Sequence, residues 1–101
     1  MKAFFKDMDA ASIVRALEAA MVGRRLGEIT RITLENGRIR ATLSKLGTST
    51  LTFTAQARPD GTEVHLVEEK LALTHRPLRN EVKDKFVRLV EKAGGVVTGP
   101  L

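Results

Sequence analysis

The sequence predicts an α+β fold, in which a four- to five-stranded antiparallel meander carries an N-terminal and a C-terminal helix on one face. Residues 28–57 alternate between apolar and polar side chains with period two, which is typical of strands with one buried face. The segments before and after the strands repeat apolar residues every three or four positions, which indicates amphipathic helices. Since each helix and the sheet has one apolar face, we expect both helices to pack on the same side of the sheet.

The N-terminal part of the chain predicts one helix, over residues 9–23. Asp9 or Ser12 can serve as its N-cap, and apolar residues then return at helical spacings. Residues 2–5 are short and apolar. We interpret them as an edge strand, with an extra helical turn as the alternative.

The dipeptide Asn36-Gly37 predicts the first hairpin of the meander. A type I′ turn needs positive φ at both central residues, which asparagine and glycine tolerate. A two-residue loop there places Glu35 opposite Arg38, and every further pair matches in polarity. The predicted pairs are Glu35 with Arg38, Leu34 with Ile39, Thr33 with Arg40, Ile32 with Ala41 and Arg31 with Thr42.

The next loop is predicted at residues 46–48. Three loop residues there place Leu43 opposite Leu51, so that apolar residues again face each other. The same register defines outer rows of Thr33, Arg40 and Thr54, and of Arg31, Thr42 and Thr52.

The turn at residues 58–61 creates a conflict in the strand that follows. A type I turn at Pro59-Asp60 with a left-handed Gly61 would place Glu63, His65 and Val67 on the inner face, whereas hydrophobicity places Val64 and Leu66 there. Either the loop is one residue longer, or the strand has apolar residues on both sides. We favour the longer loop.

The C-terminal part predicts a second amphipathic helix that begins near Pro77. Its apolar stripe consists of Val82, Phe86, Leu89, Val90 and Ala93. Gly94-Gly95 can end it, and residues 96–101 are expected to form a flexible tail. A chain of 101 residues has room for one core, so residues 1–101 are predicted to be a single domain.

The order strand, helix, four antiparallel strands, helix resembles the small helix-grip and TATA-binding-protein-like (TBP-like) domains. The chain also resembles the polyhydroxyalkanoic acid system proteins. The segments that carry this second resemblance are Glu35-Asn36-Gly37-Arg38-Ile39, Ser49-Thr50-Leu51-Thr52-Phe53, Leu71-Ala72-Leu73 and the last amphipathic helix. The resemblance implies an apolar-ligand or granule-surface protein.

Composition narrows the function classes. The 17 basic and 12 acidic residues give a net charge of +5, which favours anionic partners. No apolar run approaches the ~20 residues of a membrane span, and the N-terminus lacks the apolar region of a secretory signal. We therefore expect no membrane insertion and a cytoplasmic protein. The absence of cysteine excludes disulfides and thiolate ligands.

Catalytic candidates are few. His65 and His75 are the only histidines, and the chain has no tyrosine, tryptophan or cysteine. Neither histidine has neighbours spaced like metal ligands, and no motif marks a serine as a nucleophile. We therefore expect a protein that is not an enzyme, with no cofactor and no metal site.

The outer face of the sheet is the first candidate binding site. Arg31, Arg38 and Arg40 lie on it among hydroxyl side chains that can bond phosphate oxygens, which favours nucleic acid or another polyanion. Arg76 and Arg79, where the last helix begins, form a second anion-binding candidate. Arg24-Arg25 is interpreted as the basic end of the first helix.

Two alternatives remain for the outer face. It could simply face water, since threonine and arginine suit a solvated sheet. It could also be the interface of a homodimer, for which Thr42, Thr52, Thr54 and Val67 are the candidate contacts.

Overall fold

The computed structural model describes residues 1–98, apart from the side chain of Leu26, and contains a six-stranded antiparallel sheet and three α-helices. The elements are β1 (Lys2–Lys6), α1 (Ala10–Met21), α2 (Arg25–Ile29), β2 (Thr30–Glu35), β3 (Arg38–Ser44), β4 (Thr48–Arg58), β5 (Gly61–Lys70), a 3-10 turn (Arg76–Leu78), α3 (Arg79–Lys92) and β6 (Gly95–Thr98). The strand order is β2-β3-β4-β5-β1-β6. The α+β class with an antiparallel sheet is confirmed, with six strands in place of four or five.

The sequence predicts β1 at the edge of the sheet, but the strand lies inside it. It pairs with β5 on one side and with β6 on the other. Ala3 and Phe5 point to the interior and are each 1% exposed. The edge position belongs to β6, because this strand returns along β1 after α3.

The expected tail is a strand over its first three residues. Val96, Val97 and Thr98 belong to β6, while residues 99–101 lie outside the described part of the chain. The absent side chain of Gly95 allows this pairing, since a Cβ there would lie 2.8 Å from Cζ of Phe5. The tail prediction was therefore wrong for residues 96–98.

Helix α1 begins as predicted, with Asp9 as its N-cap. The Asp9 carboxylate accepts a hydrogen bond from the backbone N–H of Ser12 at 2.8 Å, which satisfies a donor that the helix itself leaves open. Hydrogen bonding by the Ser12 side chain, and secondly by the Ser12 backbone N–H, lowers the pKa of Asp9. The short helix α2 was not predicted. It packs closely against the end of α1, since a Cβ on Gly27 would lie 2.5 Å from the Met21 carbonyl oxygen.

The β2–β3 hairpin has the predicted register, with Glu35 opposite Arg38 and Arg31 opposite Thr42. Asn36 and Gly37 both have positive φ, 50° and 75°, as a type I′ turn requires.

The β3–β4 hairpin differs from its prediction by two residues. The loop has the expected length, but it consists of residues 45–47, so that Leu43 faces Ser49 rather than Leu51. Leu46 and Gly47 both have positive φ. Ser49 points inward, where its hydroxyl group accepts a hydrogen bond from Ala72 N at 2.9 Å. This bond compensates for the polar side chain at an interior position.

The β4–β5 hairpin resolves the phase conflict in neither of the two expected ways. Arg58 faces Gly61 directly, so the loop is one residue shorter than the turn over residues 59–61 that the sequence suggests. The shorter loop turns Val64 and Leu66 inward, as their hydrophobicity requires. The register then shifts opposite Thr52 and Phe53, which leaves Val67 as the extra residue of a β-bulge.

The core lies between the sheet and the two longer helices. Phe53 of β4 stacks on Phe86 of α3, with ring centroids 5.1 Å apart. Ile13 and Leu17 of α1 belong to the same buried cluster. Because α1 and α3 both pack on this inner face, neither covers the opposite, outer face of the sheet.

Candidate anion-binding surface

The outer face of the sheet carries more cations than carboxylates. The strand register fixes which side chains point outward, because successive residues of a strand alternate between the faces. The outward cations are Lys2, Lys6, Arg31, Arg38, Arg40, Arg58 and Lys70, and the outward carboxylates are Glu35, Glu63 and Glu68.

Arginine and threonine form rows across β2, β3 and β4. The rows are Arg31, Thr42 and Thr50; Thr33, Arg40 and Thr52; and Glu35, Arg38 and Thr54. They differ from the expected rows because the β3–β4 loop lies one residue earlier, which moves β4 by two residues along β3. The faces are unchanged, since a shift of two preserves the alternation.

The three expected sheet arginines differ in their partners. Arg40 Nη1 lies 3.0 Å from Glu35 Oε2, and these side chains are 44% and 54% exposed. Arg31 and Arg38 are exposed, and neither forms an ion pair with any residue in 1–98. Arg31 and Arg38 are therefore the arginines best placed to meet an external anion.

The expected dimer contacts offer unequal surface. Thr42 and Thr54 are partly exposed, and Val67, at the bulge, is 48% exposed. Thr52 is only 3% exposed although it points outward, so its side chain can contribute little to an interface. It lies between Arg40 and Glu68 on the neighbouring strands.

Phe4 is an aromatic side chain on the outer face that the sequence analysis missed. It lies between Glu63 and Val96, and its ring covers Gly61, where an added Cβ would be 2.8 Å from the ring. Once Ala3 and Phe5 are recognised as inward residues, the alternation along β1 predicts this position. Phe4 is half-buried, so only part of the ring is accessible.

The second expected basic group does not form a joint site. Arg79 Nε donates a hydrogen bond to Glu69 Oε1, and Glu69 Oε2 also accepts from Lys83. Burial raises the pKa of Glu69, but these hydrogen bonds and charges outweigh it and lower the pKa overall. Arg76 is exposed and has no ion pair within residues 1–98, so Arg79 is engaged in the fold while Arg76 is not.

Ser49 and His75 form a hydrogen-bonded pair that the sequence analysis did not identify. His75 Nδ1 lies 2.5 Å from Ser49 Oγ, and His75 Nε2 lies 2.6 Å from the Lys45 carbonyl oxygen. A carbonyl can only accept, so Nε2 carries the proton and Ser49 donates to Nδ1. The pair thereby joins the β3–β4 loop to the segment before α3.

A serine bonded to a histidine is also the arrangement of a nucleophile and its base. Ser49 is 1% exposed, however, so a substrate could not reach its oxygen. The second histidine nitrogen bonds to a backbone carbonyl, and the Ser49 oxygen already accepts from Ala72 N. These contacts indicate a structural role.

An apolar groove lies beside this pair. Its volume is about 260 Å³, and its lining residues are Ile29, Leu43, Lys45, Leu46, Thr74, His75, Leu78, Glu81, Val82 and Lys85. Leu46 is 83% exposed and Leu78 47% exposed. The groove therefore offers hydrophobic contacts at one end of the sheet.

Within residues 1–98, no group of three or more histidine, aspartate or glutamate side chains is arranged to hold a metal ion. Over the same residues, no helix has both the length and the apolar character needed to cross a membrane.

Comparisons of the chain with protein-family models, with curated proteins and with solved structures gave no match. The functional proposals for this protein therefore depend on its own residues and their geometry.

Proposed function

We propose that this protein is a non-enzymatic binding module that holds a polyanion, specifically single-stranded nucleic acid, against the outer face of its sheet. The observation that supports this function is the exposure of Arg31 and Arg38 on a sheet face that neither α1 nor α3 covers, where cations outnumber carboxylates. The net charge of +5 favours the encounter with an anionic chain.

The expected mode of binding is contact with the phosphate backbone. Arginine can form paired hydrogen bonds to phosphate, and the hydroxyl groups of Thr42 and Thr54 lie in the same rows as Arg31 and Arg38. Sheets that recognise bases usually stack them on several aromatic rings. Within residues 1–98 this face has two such rings, the half-buried Phe4 and the exposed imidazole of His65. We therefore expect weak sequence preference and strong salt dependence.

The test is fluorescence anisotropy with a labelled single-stranded oligonucleotide at low salt. The variant R31Q/R38Q removes two exposed arginines without disturbing the Arg40–Glu35 pair. The slope of log K against log salt is negative, and loss of two phosphate contacts should reduce its magnitude by about 1.4. The control R15Q/K92Q removes equal charge from α1 and α3, and should retain the wild-type slope. Equal slopes in wild type and R31Q/R38Q would contradict the proposal.

A homodimer is the second candidate function. What supports it is the edge strand β2, whose Leu34 is 41% exposed, since sheet edges present unpaired backbone groups. Sedimentation velocity at high micromolar concentration should then show a dimer, and sedimentation as a monomer alone would exclude this candidate.

An apolar ligand is the third candidate, and the groove beside His75 supports it. Replacing Val82, on the groove wall, by aspartate should abolish the binding of an apolar fluorescent probe. The same substitution at Val96, which is 63% exposed on strand β6, should leave binding intact. Equal binding by wild type and V82D would exclude this site.

We retain the TBP-like interpretation of the fold as a proposal. The order from β1 and α1 through the meander to α3 supports it. Helix α2 and strand β6 are additions to that pattern.

A further inference from the structure

Four cationic side chains line one pocket on the helix side of the molecule. Arg24 and Arg25 come from the start of α2, and Lys85 and Arg88 come from one face of α3. The pocket has a volume of about 370 Å³, and Leu89, which is 1% exposed, completes its lining. Within residues 1–98, no carboxylate contributes to the lining. The sequence predicts only a helix end at Arg24-Arg25, because nothing in it brings this segment near α3.

Backbone hydrogen bonds position the start of α2. Arg24 N donates to the Met21 carbonyl oxygen at 3.0 Å, and Gly27 N donates to the Arg24 carbonyl oxygen at 3.1 Å. Gly27 also lets α2 approach Met21 more closely than a residue with a Cβ could. On the opposite side, Lys85 and Arg88 are three residues apart on α3 and therefore share one face. The cationic groups thus converge from two separate elements.

No internal partner neutralises these cations. Within residues 1–98, none of the four forms an ion pair. Glu81 and Asp84 precede Lys85 and Arg88 by one helical turn, and Glu28 follows Arg25 on α2. These carboxylates reduce the local field, but none of them lines the pocket. Four converging cations repel one another, and an anion with two or more charges would relieve that repulsion.

We infer that this pocket binds the phosphoryl group of a small ligand. Guanidinium groups match the geometry of phosphate oxygens and bond them in pairs, while lysine adds a compact positive charge. A pocket of this volume can hold a compact anion. The site is independent of the outer face of the sheet, so it extends the proposed function and does not rest on it.

The test is calorimetric titration with pyrophosphate, a compact multivalent anion. R24Q/R88Q removes one guanidinium from each side of the pocket and leaves Lys85, which also borders the apolar groove. We expect saturable binding to the wild type, weakened about tenfold or more in R24Q/R88Q. R31Q/R38Q and R15Q/K92Q should bind like the wild type. Both residues of R24Q/R88Q are exposed, and an unchanged urea midpoint would verify that the variant folds.

A second arm identifies the source of the phosphoryl group, with phosphatidylcholine vesicles that contain phosphatidic acid. Binding of pyrophosphate without retention on vesicles assigns a soluble ligand. Retention that pyrophosphate reverses and R24Q/R88Q lacks assigns a lipid headgroup, and supports the same site. Absence of saturable pyrophosphate binding, or equal weakening in R15Q/K92Q, would overturn the inference. Oligonucleotide binding that depends on Arg31 and Arg38 would survive that outcome, so the two proposals fail separately.

Discussion

Lys83 of α3 lies against Glu69 of β5 at the margin of the core, with Nζ 2.7 Å from Oε2. The Lys83 side chain is 8% exposed and that of Glu69 is 21% exposed. Glu69 faces inward because of the bulge at Val67. Without the extra residue, Glu68 would face inward and Glu69 would face water. The bulge reverses the alternation, so that Glu69 faces Leu51 on the inner side and meets α3.

Replacing Lys83 by methionine should lower the free energy of unfolding by about 2–3 kcal/mol. The loss is set by the uncompensated charge of Glu69, and Arg79 limits it because this arginine still contacts the carboxylate. The double variant E69L/K83M should recover most of that loss, since two apolar groups need no partner. Urea denaturation measures both. A double variant no more stable than K83M would show that the charge is not the cause.

The stability of the protein should fall at acidic pH in a manner that depends on Glu69. The ordinary pKa of a glutamate is 4.5. Burial raises the pKa of Glu69, but hydrogen bonds and charges from Lys83 and Arg79 lower it by more, so the net shift is downward. The folded state therefore favours the ionised form. The stability that ionised Glu69 contributes is complete above its ordinary pKa, and it is lost as the pH falls through the lowered pKa of the folded state.

The measurement is the urea midpoint between about pH 5 and pH 3, for wild type and E69Q. The wild-type midpoint should decrease more steeply. A smaller slope of the same sign should remain in E69Q, because the pKa of Asp9 is also lowered, by its hydrogen bond with Ser12. D9N is the control, and it should retain the part of the pH dependence that comes from Glu69. Parallel profiles for wild type and E69Q would rule out this role of Glu69.

Local signals predicted the parts of the fold that depend on neighbouring residues. Asn36-Gly37 specified a hairpin because both residues tolerate positive φ, and its register followed. Asp9 specified the start of α1, because its carboxylate satisfies a donor three residues away. In both cases the interacting residues lie within a few positions of each other in the chain, so the sequence alone identifies them.

The remaining features depend on partners far away in the chain. Val96 and Val97 form a strand only because β1 offers a free side after β5 has paired with it. Ser49 turns inward because Ala72 and His75 bond its hydroxyl group. The pocket between α2 and α3 likewise joins residues about 60 positions apart. The outer-face arginines were predictable, since strand alternation alone determines their face.

Replacing Ser49 by alanine should lower the free energy of unfolding by about 1–3 kcal/mol. The substitution leaves Ala72 N without its acceptor and His75 Nδ1 without its donor. The control S44A removes an exposed hydroxyl group from β3 and should change stability by less than about 0.5 kcal/mol. In a double-mutant cycle, S49A and H75A should be strongly non-additive. Additive losses would mean that the two side chains act separately.

Replacing Gly95 by alanine should lower the free energy of unfolding by about 1–3 kcal/mol, because the core has no room for another methyl group. The new Cβ would lie 2.7 Å from Cγ1 of Val90 and 2.8 Å from Cζ of Phe5. The backbone of Gly95 is not in the left-handed region, so the effect arises from contact. The control V96A, at a side chain that is 63% exposed, should cost less than about 1 kcal/mol.

Hydrogen exchange of the β6 amides provides the second measurement for G95A. The backbone groups that pair with β1 should be protected in the wild type and in V96A, and should exchange faster in G95A. This result would follow if β6 is held by the fit of Gly95 against Phe5 and Val90. If residues 96–98 instead belonged to the flexible tail that the sequence predicts, their amides would exchange freely in all three proteins and G95A would be as stable as the wild type.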